Sequence, residues 1–335
     1  MEIGVKKRAM IFSGNSNREL AEEIAAHLGM RLGEVDISRF ASGEVYVRFQ
    51  ESTRGSDAFV IQSHCSPVND MIMEQLIMID ALKRASAKRI NAVIPFYGYA
   101  RQDRKSLARE AISARLVADL LTAAGADRVL TVDLHSGQIQ GFFDGPVDHL
   151  TALPLLAQYV DEKWNDNLVV VAPDAGRAKH ATKYAHHLRT PFAVMQKGRR
   201  ADVRNVSSVL NVVGDVEGKR CLLVDDMIDT AGTLTNAAEA LLKNGATDVI
   251  AAATHGVFSP PAFERLEASS IAEVIVTNTL PLQPMDHLDK ITVLSIAPTF
   301  AHAIKAVFED ESVSEIFRGE HLEAIPPERQ FPEED

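Results

Sequence analysis

Short apolar runs alternate with longer segments of helical periodicity along the chain. The apolar runs, rich in valine, isoleucine, leucine and alanine, predict buried strands at residues 9–12, 58–62, 90–94, 129–132, 168–172, 192–195, 221–224, 248–253 and 273–277. Apolar residues at helical spacing predict helices at residues 17–28, 70–85, 112–124, 153–163, 234–244 and 301–308. The second of these helices has Asn69 or Asp70 as its expected N-cap. This alternation is typical of an α/β fold with parallel sheets and helices on both faces.

A weak internal repeat indicates two related halves. A glycine turn precedes a strand at Gly125 and again at Gly245, and a histidine follows each turn at the same distance, at His135 and His255. The offset between the two copies is 120 residues. Identity between the copies is low, so chance recurrence is the alternative, but the spacing favours a duplication.

The length of 335 residues corresponds to two domains at about 150 residues per domain. We expect domains at residues 1–150 and 151–308, followed by an acidic tail at residues 309–335. The net charge is −11, and the tail, with ten acidic residues and two arginines, contributes −8 of it. The rest of the chain is therefore almost neutral.

Two local clusters of positive charge interrupt this neutral body. Residues 83–109 and residues 177–204 each contain eight lysines and arginines against one aspartate. Such clusters favour compact anions such as phosphates. A nucleic-acid surface would bring a basic domain with interleaved aromatic residues, and aromatic residues make up only 6% of this chain. We therefore expect no nucleic-acid partner.

Cysteine content and hydropathy indicate the cellular compartment of the protein. The two cysteines, Cys65 and Cys221, provide no disulfide framework, which favours a reducing compartment. The charged start of the sequence is not followed by the apolar segment of a secretory signal. No apolar run approaches the 18 or so residues of a membrane span. We expect a cytoplasmic protein without a membrane partner.

In open parallel sheets, ligands bind beyond the carboxyl ends of the strands. Polar residues follow several of the predicted strands at this end. Residues of this kind are Tyr97, Arg101, Gln102, Arg104, Lys105, Asp133, His135, Asp174, Asp225, Asp226 and Asp229. They combine the cations that bind phosphate with the carboxylates that bind sugar hydroxyls or a hydrated cation.

The segment at residues 221–233, CLLVDDMIDTAGT, carries the strongest chemical signal. A buried strand is expected to end in Asp225 and Asp226, and a loop of small and hydroxyl residues then opens a helix. The amides of its first turn, with the hydroxyls of Thr230 and Thr233, suit a phosphate monoester. Neither a Walker loop nor a dinucleotide-binding glycine motif occurs. An acidic helix cap without a ligand is the alternative interpretation.

This segment resembles the motif that binds phosphoribosyl pyrophosphate. Residues 94–105, IPFYGYARQDRK, and residues 133–143, DLHSGQIQGFF, resemble signatures of the class I ribose-phosphate pyrophosphokinases. Shorter segments fit the same family at residues 12–17, 147–149 and 277–279. The resemblance runs from about residue 11 to residue 308.

The resemblance implies two tandem phosphoribosyltransferase-like domains, each a mostly parallel sheet flanked by helices, with ATP on the first and ribose 5-phosphate on the second. The implied reaction transfers the diphosphoryl group of ATP to the 1-hydroxyl of ribose 5-phosphate. Its products are 5-phosphoribosyl 1-diphosphate, used in nucleotide biosynthesis, and AMP. The implied cofactor is Mg²⁺ and the implied assembly is a homohexamer. Inorganic phosphate and ADP are the implied effectors.

The resemblance also implies roles for individual residues. Lys197 and Arg199, on a loop that closes over the triphosphate, are the implied catalytic cations. The implied ATP-binding residues are Phe40, Ser42, Gly43, Glu44, Arg101 and Gln102. The implied ribose 5-phosphate-binding residues are Arg199, Asp225, Asp226, Asp229, Thr230, Ala231, Gly232 and Thr233. His135 and Asp174 are the implied metal-side residues.

The sequence departs from the family pattern at a few positions. Ser42 stands where the family usually has aspartate, Gly198 where it has arginine, and Ala231 where it has glycine. Residues 176–180 replace a usual Gly-Gly-Val-x-Arg segment near the regulatory region. These departures keep a second hypothesis open, a catalytically silent regulatory subunit. A third, a phosphoribosyltransferase, does not explain residues 97–105.

Overall fold

The computed structural model describes residues 7–198, 209–282 and 288–313. The first half contains β1 (Ala9–Ser13), α1 (Arg18–His27), β2 (Val35–Arg39), β3 (Val45–Phe49), β4 (Asp57–Ile61), α2 (Val68–Arg84), β5 (Arg89–Ile94), α3 (Ser113–Ala124), β6 (Arg128–Val132) and β7 (Val147–Leu150). The second half contains α4 (Leu153–Trp164), β8 (Leu168–Ala172), α5 (Ala178–Leu188), β9 (Phe192–Gly198), β10 (Val209–Val213), β11 (Arg220–Ile228), α6 (Gly232–Lys243), β12 (Asp248–Gly256), α7 (Ala262–Ala268), β13 (Glu273–Thr277), β14 (Ile291–Leu294) and α8 (Ala297–Glu309). None of the helices in these ranges has the length and hydropathy to cross a bilayer.

Two mostly parallel sheets form the framework, which confirms the predicted α/β class. The first sheet has five parallel strands in the order β1-β4-β5-β6-β7. The second has seven strands in the order β10-β9-β8-β11-β12-β13-β14, and only the β9–β10 pair is antiparallel. A separate antiparallel hairpin is formed by β2 and β3.

The two halves share one strand order, because β8-β11-β12-β13-β14 repeats the topology of β1-β4-β5-β6-β7. The offset predicted from the sequence is wrong by one strand–helix unit. The predicted offset makes β12 the counterpart of β6. The order of the strands in the two sheets instead makes β12 the counterpart of β5 and β13 the counterpart of β6. Gly125 and Gly245 both follow a helix with positive φ, at 115° and 89°. The recurring glycine marks a common helix-to-strand turn rather than an equivalent position.

The helices form three layers around the two sheets. The outer face of the first sheet is covered by α2 and α3, and the outer face of the second by α6 and α7. Between the sheets lie α1, α4, α5 and α8, with α1 packed on α8 and α4 on α5. Tyr184 and Phe300, both fully buried, belong to this central core. The two halves therefore share one central core, in which helices from both are packed together.

Strands buried on both faces carry the continuous apolar runs that the sequence analysis detected, as in β8, where every residue is buried. The expected cap of α2 is wrong. The helix begins at Val68, with Pro67 at the N-cap and no capping side chain. The carbonyl of Pro67 accepts hydrogen bonds from the amides of Asp70 and Met71, so the first turn already includes Asn69 and Asp70.

Several elements were not predicted, namely β2, β3, β7, β10, β14 and α7. Most of these strands are only partly buried, so they lack a continuous apolar run. The polar loop expected after residue 195 is partly a hairpin, because β9 continues to Gly198 and pairs with β10. Residues 199–208, between these strands, lie outside the described residues.

Candidate active site

The paired carboxylates lie within an extended strand rather than in a loop after it. β11 pairs with β8 only as far as Leu223, opposite Val171, but stays paired with β12 to its last residue. Asp225 and Asp226 therefore lie where one side of β11 is open. This opening is at the carboxyl end of the sheet, where open parallel sheets bind ligands.

Arg177, at the start of α5, fills this opening with its guanidinium group. Its Nε lies 2.8 Å from Oδ1 of Asp225 and its Nη2 lies 2.6 Å from Oδ1 of Asp226. The same Nη2 lies 2.9 Å from Nδ1 of His135. Nδ1 of His135 is also 2.7 Å from Oδ2 of Asp226. Four charged or titratable side chains thus form one cluster.

His135 enters this cluster from the first half, on the segment after β6. Asp133, two residues earlier, is partly buried, and its carboxylate accepts hydrogen bonds from the hydroxyl of Thr254 at 2.6 Å and the amide of Ala152 at 2.8 Å. Burial acts to raise the pKa of Asp133, but these bonds help to hold it below its usual value. Nε2 of His255 lies 3.2 Å from the Asp133 carbonyl. The backbone before His135 is therefore fixed against the second half.

The two aspartates differ in proton affinity. Burial, followed by the adjacent Asp226 carboxylate, raises the pKa of Asp225. Burial also acts to raise the pKa of Asp226, but the hydrogen bond with His135 and the charge of Arg177 outweigh it and lower that pKa. Two neighbouring carboxylates cannot both ionise easily without a cation. The cluster therefore favours binding of positive charge.

The donor atoms of this cluster fit a hydrated Mg²⁺ ion, which prefers oxygen ligands and keeps several waters. Asp174 is exposed, and its Oδ1 accepts a hydrogen bond from the Arg177 amide at 3.1 Å. Asp174 and His135 thus contact the same arginine, one through its backbone and the other through its side chain. Within the part of the chain that the structure describes, no three His, Cys, Asp or Glu side chains converge as metal ligands.

The predicted phosphate loop joins β11 to α6. Ala231 precedes the first residue of the helix and has φ of 59°, a left-handed conformation. Gly232 begins α6, and the side chains of Thr230 and Thr233 are exposed at its N-terminal end. Asp229 forms an ion pair with Arg101 at 2.6 Å. The loop thus presents free hydroxyls beside a helix N-terminus, as a phosphate monoester requires.

The predicted ATP-binding residues lie in two places. Arg101 and Gln102 follow β5, and Gln102 accepts a hydrogen bond from Ser113 at 2.6 Å. The second group, in the β2–β3 turn, comprises Phe40, Ser42, Gly43 and Glu44. Phe40 is 57% exposed, and Ser42 donates to Glu44 at 2.7 Å. Only Arg101 is joined to the ribose-side loop by an ion pair in the described residues.

Of the two predicted catalytic cations, the structure describes only the backbone of Lys197. The backbone of Lys197 lies in β9, opposite Leu210 in β10. Its side chain, like the whole of Arg199, lies outside the described residues. Their roles remain predictions.

Sequence reasoning missed Arg177 as a member of the site. In the sequence it stands out only as part of a departure from the family pattern near the regulatory region. Its partners His135 and Asp226 are 42 and 49 positions away along the chain. Only the pairing of β8 with β11, and the packing of the first half on the second, bring the three together.

Comparisons with known proteins agree with this geometry. Residues 9–125 match the family described as the N-terminal domain of ribose phosphate pyrophosphokinase, and residues 200–318 match the phosphoribosyl synthetase-associated domain. The ribose-phosphate pyrophosphokinase of Streptomyces coelicolor is 58% identical over 313 residues, covering 93% of this chain and 97% of that protein. That of Caldanaerobacter subterraneus subsp. tengcongensis is 56% identical over 308 residues, covering 92% and 97%.

A solved structure gives the same result. The phosphoribosylpyrophosphate synthetase from Mycobacterium smegmatis is 55% identical and superposes with a TM-score of 0.86, covering 91% of this chain and all of that chain. Sequence and structure thus agree over nearly the full length of the relatives. With its two sheets of one strand order and an acidic cluster between them, this chain belongs to the ribose-phosphate pyrophosphokinase family.

Proposed function

We propose that this chain transfers the diphosphoryl group of ATP to the 1-hydroxyl of ribose 5-phosphate, giving 5-phosphoribosyl 1-diphosphate and AMP. One observation carries the proposal. His135 of the first half lies 2.7 Å from Asp226 of the second, and Arg177 joins both to Asp225. The proposed nucleotide side and the proposed sugar side would thus share one cluster. The identity of 58% to a relative that is named as this enzyme supports catalysis rather than a silent regulatory role.

The second half is proposed to bind ribose 5-phosphate. The first-turn amides of α6, with the hydroxyls of Thr230 and Thr233, would bind the 5-phosphate, because helix N-termini attract anions. Asp225 and Asp226 would accept hydrogen bonds from the sugar hydroxyls. The sugar would then lie with its reacting hydroxyl towards His135 and the first half.

The first half is proposed to bind ATP. Arg101 would exchange its ion pair with Asp229 for the phosphate oxygens, which a guanidinium group binds with two parallel hydrogen bonds. The exposed ring of Phe40 suits stacking on adenine. Lys197 and Arg199 are proposed to neutralise charge on the transferred group, since phosphoryl transfer depends chiefly on positioning and electrostatics.

Mg²⁺ is the proposed cofactor. His135 and Asp174 would hold it, and the carboxylates of Asp225 and Asp226 would contact it through its bound waters. When bound, the ion supplies positive charge to the transferred diphosphoryl group. The protein's own contribution is to fix the two aspartates at the open side of β11 and to orient the sugar between them and His135.

Phosphorus NMR of the protein with ATP, Mg²⁺ and ribose 5-phosphate tests the proposal. We expect AMP and the diphosphate ester to appear together, and only when ribose 5-phosphate is present. ADP as the product, or AMP formed without the sugar, would contradict it. A folded protein without turnover at saturating Mg²⁺ and inorganic phosphate would instead support the regulatory subunit. Replacement of the proposed cation, Lys197→Ala, should lower kcat with little change in KM.

The division into domains near residue 150, the homohexamer, the cytoplasmic location and the effects of inorganic phosphate and ADP remain proposals. Light scattering of the purified protein tests the assembly, where a mass of a single chain would exclude the hexamer. Initial rates with increasing phosphate and ADP test the effectors. The residues that replace the usual segment at 176–180 are where a changed response would arise.

A further inference from the structure

Arg177 occupies an unusual position for an arginine in a site that must receive a metal ion. Its guanidinium group contacts three groups of the cluster, at distances of 2.6 to 2.9 Å. The Arg177 side chain is 19% exposed, and its partner Asp226 is 4% exposed. Charged hydrogen bonds at such distances, shielded from water, are among the stronger polar contacts in proteins.

The contacts of Arg177 use the same atoms that a divalent cation would need. Oδ1 of Asp225, Oδ1 of Asp226 and Nδ1 of His135 each face the guanidinium group. A guanidinium group supplies a single positive charge to two carboxylates. A cation in contact with these oxygens would meet strong repulsion from Arg177 at close range unless the arginine withdrew.

We propose that Arg177 is a positioning residue that holds the paired aspartates before substrates bind and sets the affinity for divalent cations by competing with them. This inference rests on the proposed function, because it assigns Arg177 to the proposed metal cluster. The Arg177 amide donates a hydrogen bond to Asp174 at 3.1 Å, so a displaced side chain would leave from a backbone that is held in place. The protein therefore carries its own counter-ion, which the metal displaces.

Binding of Mn²⁺ alone, without nucleotide or sugar, tests this directly through the electron paramagnetic resonance signal of free Mn²⁺. The key variant is Arg177→Gln, which keeps a hydrogen-bonding side chain but removes the charge. The matched control is Arg128→Gln, which breaks an ion pair with Asp148 of similar length, 2.6 Å, at the opposite end of the first sheet. Arg177→Lys retains a charge but cannot bridge both aspartates at once.

We expect Arg177→Gln to lower the Kd for Mn²⁺ by about tenfold, Arg177→Lys to lower it less, and Arg128→Gln to leave it within about twofold of the wild type. Both glutamine variants should lower Tm without metal, and only Arg177→Gln should recover at saturating Mg²⁺. An unchanged or higher Kd in Arg177→Gln overturns the inference. If that variant does not fold, Arg177→Lys decides, because it too must bind Mn²⁺ more tightly than the wild type.

The inference and the proposed function fail separately. Wild-type protein that forms AMP while Arg177→Gln keeps the wild-type Kd would refute only the role of Arg177. Protein that forms no AMP but binds Mn²⁺ more tightly after Arg177→Gln would refute only the reaction.

Discussion

The central strands of the two sheets, β4 and β11, carry different residues at equivalent positions. Asp57 pairs with Ala9 and Arg89 in the first sheet as Arg220 pairs with Leu168 and Asp248 in the second. Counted along the strands from these pairs, Ile61 corresponds to Val224. The next two residues, Gln62 and Ser63 in the first half, are therefore the counterparts of the paired aspartates in the second. The same edge is neutral in one half and acidic in the other.

In the first half this edge is filled by a buried network. Gln62 donates to Glu74 at 2.8 Å, and the amide of Asn15 donates to the same carboxylate at 2.7 Å. The Gln62 side chain also leaves no space for a Cβ atom at Gly14. The hydroxyl of Ser63 donates to a backbone carbonyl of the other half at 2.6 Å. This edge thus joins the halves, and its polar side chains already have partners.

In the second half the equivalent edge is open on one side and charged, and among the described residues the side chains of Arg177 and His135 lie against it. The comparison shows that one strand order supports two uses of the carboxyl edge. Where polar side chains satisfy one another in the interior, the edge is structural. Where the charges of two carboxylates are balanced by one displaceable arginine, Arg177, the edge can bind a ligand.

The largest expected effect comes from neutralising one aspartate. Asp226→Asn should lower kcat/KM by about 10² to 10³, because the carboxylate that pairs with His135 and Arg177 is lost. The counterpart change in the first half, Ser63→Ala, removes one buried hydrogen bond and should lower the free energy of unfolding by about 1 kcal/mol. Steady-state kinetics and urea unfolding of both variants measure the contrast. Equal losses of activity would break the comparison.

Glu74→Ala tests whether the first-half edge is structural. Glu74 is 1% exposed and accepts three hydrogen bonds, two from Asn15 and one from Gln62. Its loss leaves buried donors without a partner and should lower the free energy of unfolding by about 3 kcal/mol. Urea unfolding measures this, and kcat of the remaining folded protein should stay within a few-fold of the wild type. A selective loss of kcat with unchanged stability would assign chemistry to this edge.

His64, directly after Ser63, gives the first-half edge a pH dependence. Burial lowers its pKa from 6.5 to about 4, and its Nδ1 accepts a hydrogen bond from the Gly98 amide at 3.0 Å. The unfolded chain takes up a proton below pH 6.5 whereas the folded chain does not, so stability falls as pH falls towards 4. The expected loss is about 2 kcal/mol between pH 6.5 and 5.

The variant His64→Asn isolates this contribution, because burial also lowers the pKa values of His149, His180 and His255. Of these, His255 is buried and the other two are partly buried. Unfolding free energies measured from pH 7.5 to 5 should fall less steeply in the variant, since asparagine keeps an acceptor near Gly98 but does not titrate. Parallel curves for both proteins would show that His64 is not the source.

Much of the difference between the two edges, but not all of it, could be predicted from the sequence. Strands buried on both faces have continuous apolar runs, and β8 was predicted with its observed bounds. By contrast, β11 and β12 continue four and three residues beyond their predicted ends. The half-buried strands β2 and β3 were missed, because the strand predictions rested on continuous apolar runs, and in these two strands partly buried and exposed residues alternate. Asp225 and Asp226 were found from their position after an apolar run.

Two features of the site could not be found without the register of the sheets. The contacts of Arg177 depend on the opening where β8 ends before β11, and no local pattern records where a neighbouring strand stops. The equivalence of Gln62 and Asp225 was hidden because the two halves share little sequence, and the recurrent glycine turn aligned the wrong strands. Strand order, rather than local motif, identified the equivalent positions.

The smallest expected effect concerns the two turns that follow these edges. The first-half turn reaches α2 through Pro67 with φ of −77°, whereas the second-half turn reaches α6 through Ala231 with φ of 59°. A left-handed alanine is strained by about 1–2 kcal/mol. In Ala231→Gly, relief of this strain is offset by loss of a buried methyl group and by the greater freedom of glycine in the unfolded chain. The net change in unfolding free energy should stay below about 1 kcal/mol.

Ala240→Gly, inside the same helix α6, is the matched control for Ala231→Gly. Its backbone is helical, so no strain is relieved, and glycine should lower the free energy of unfolding by about 1 kcal/mol. Urea unfolding of the two variants side by side measures the difference between them. Ala231→Gly should be the more stable of the two, because only at the turn does the backbone conformation favour glycine. If Ala231→Gly is equally or more destabilised, the turn is held by packing of its methyl group, and its left-handed backbone then contributes no strain to the phosphate loop.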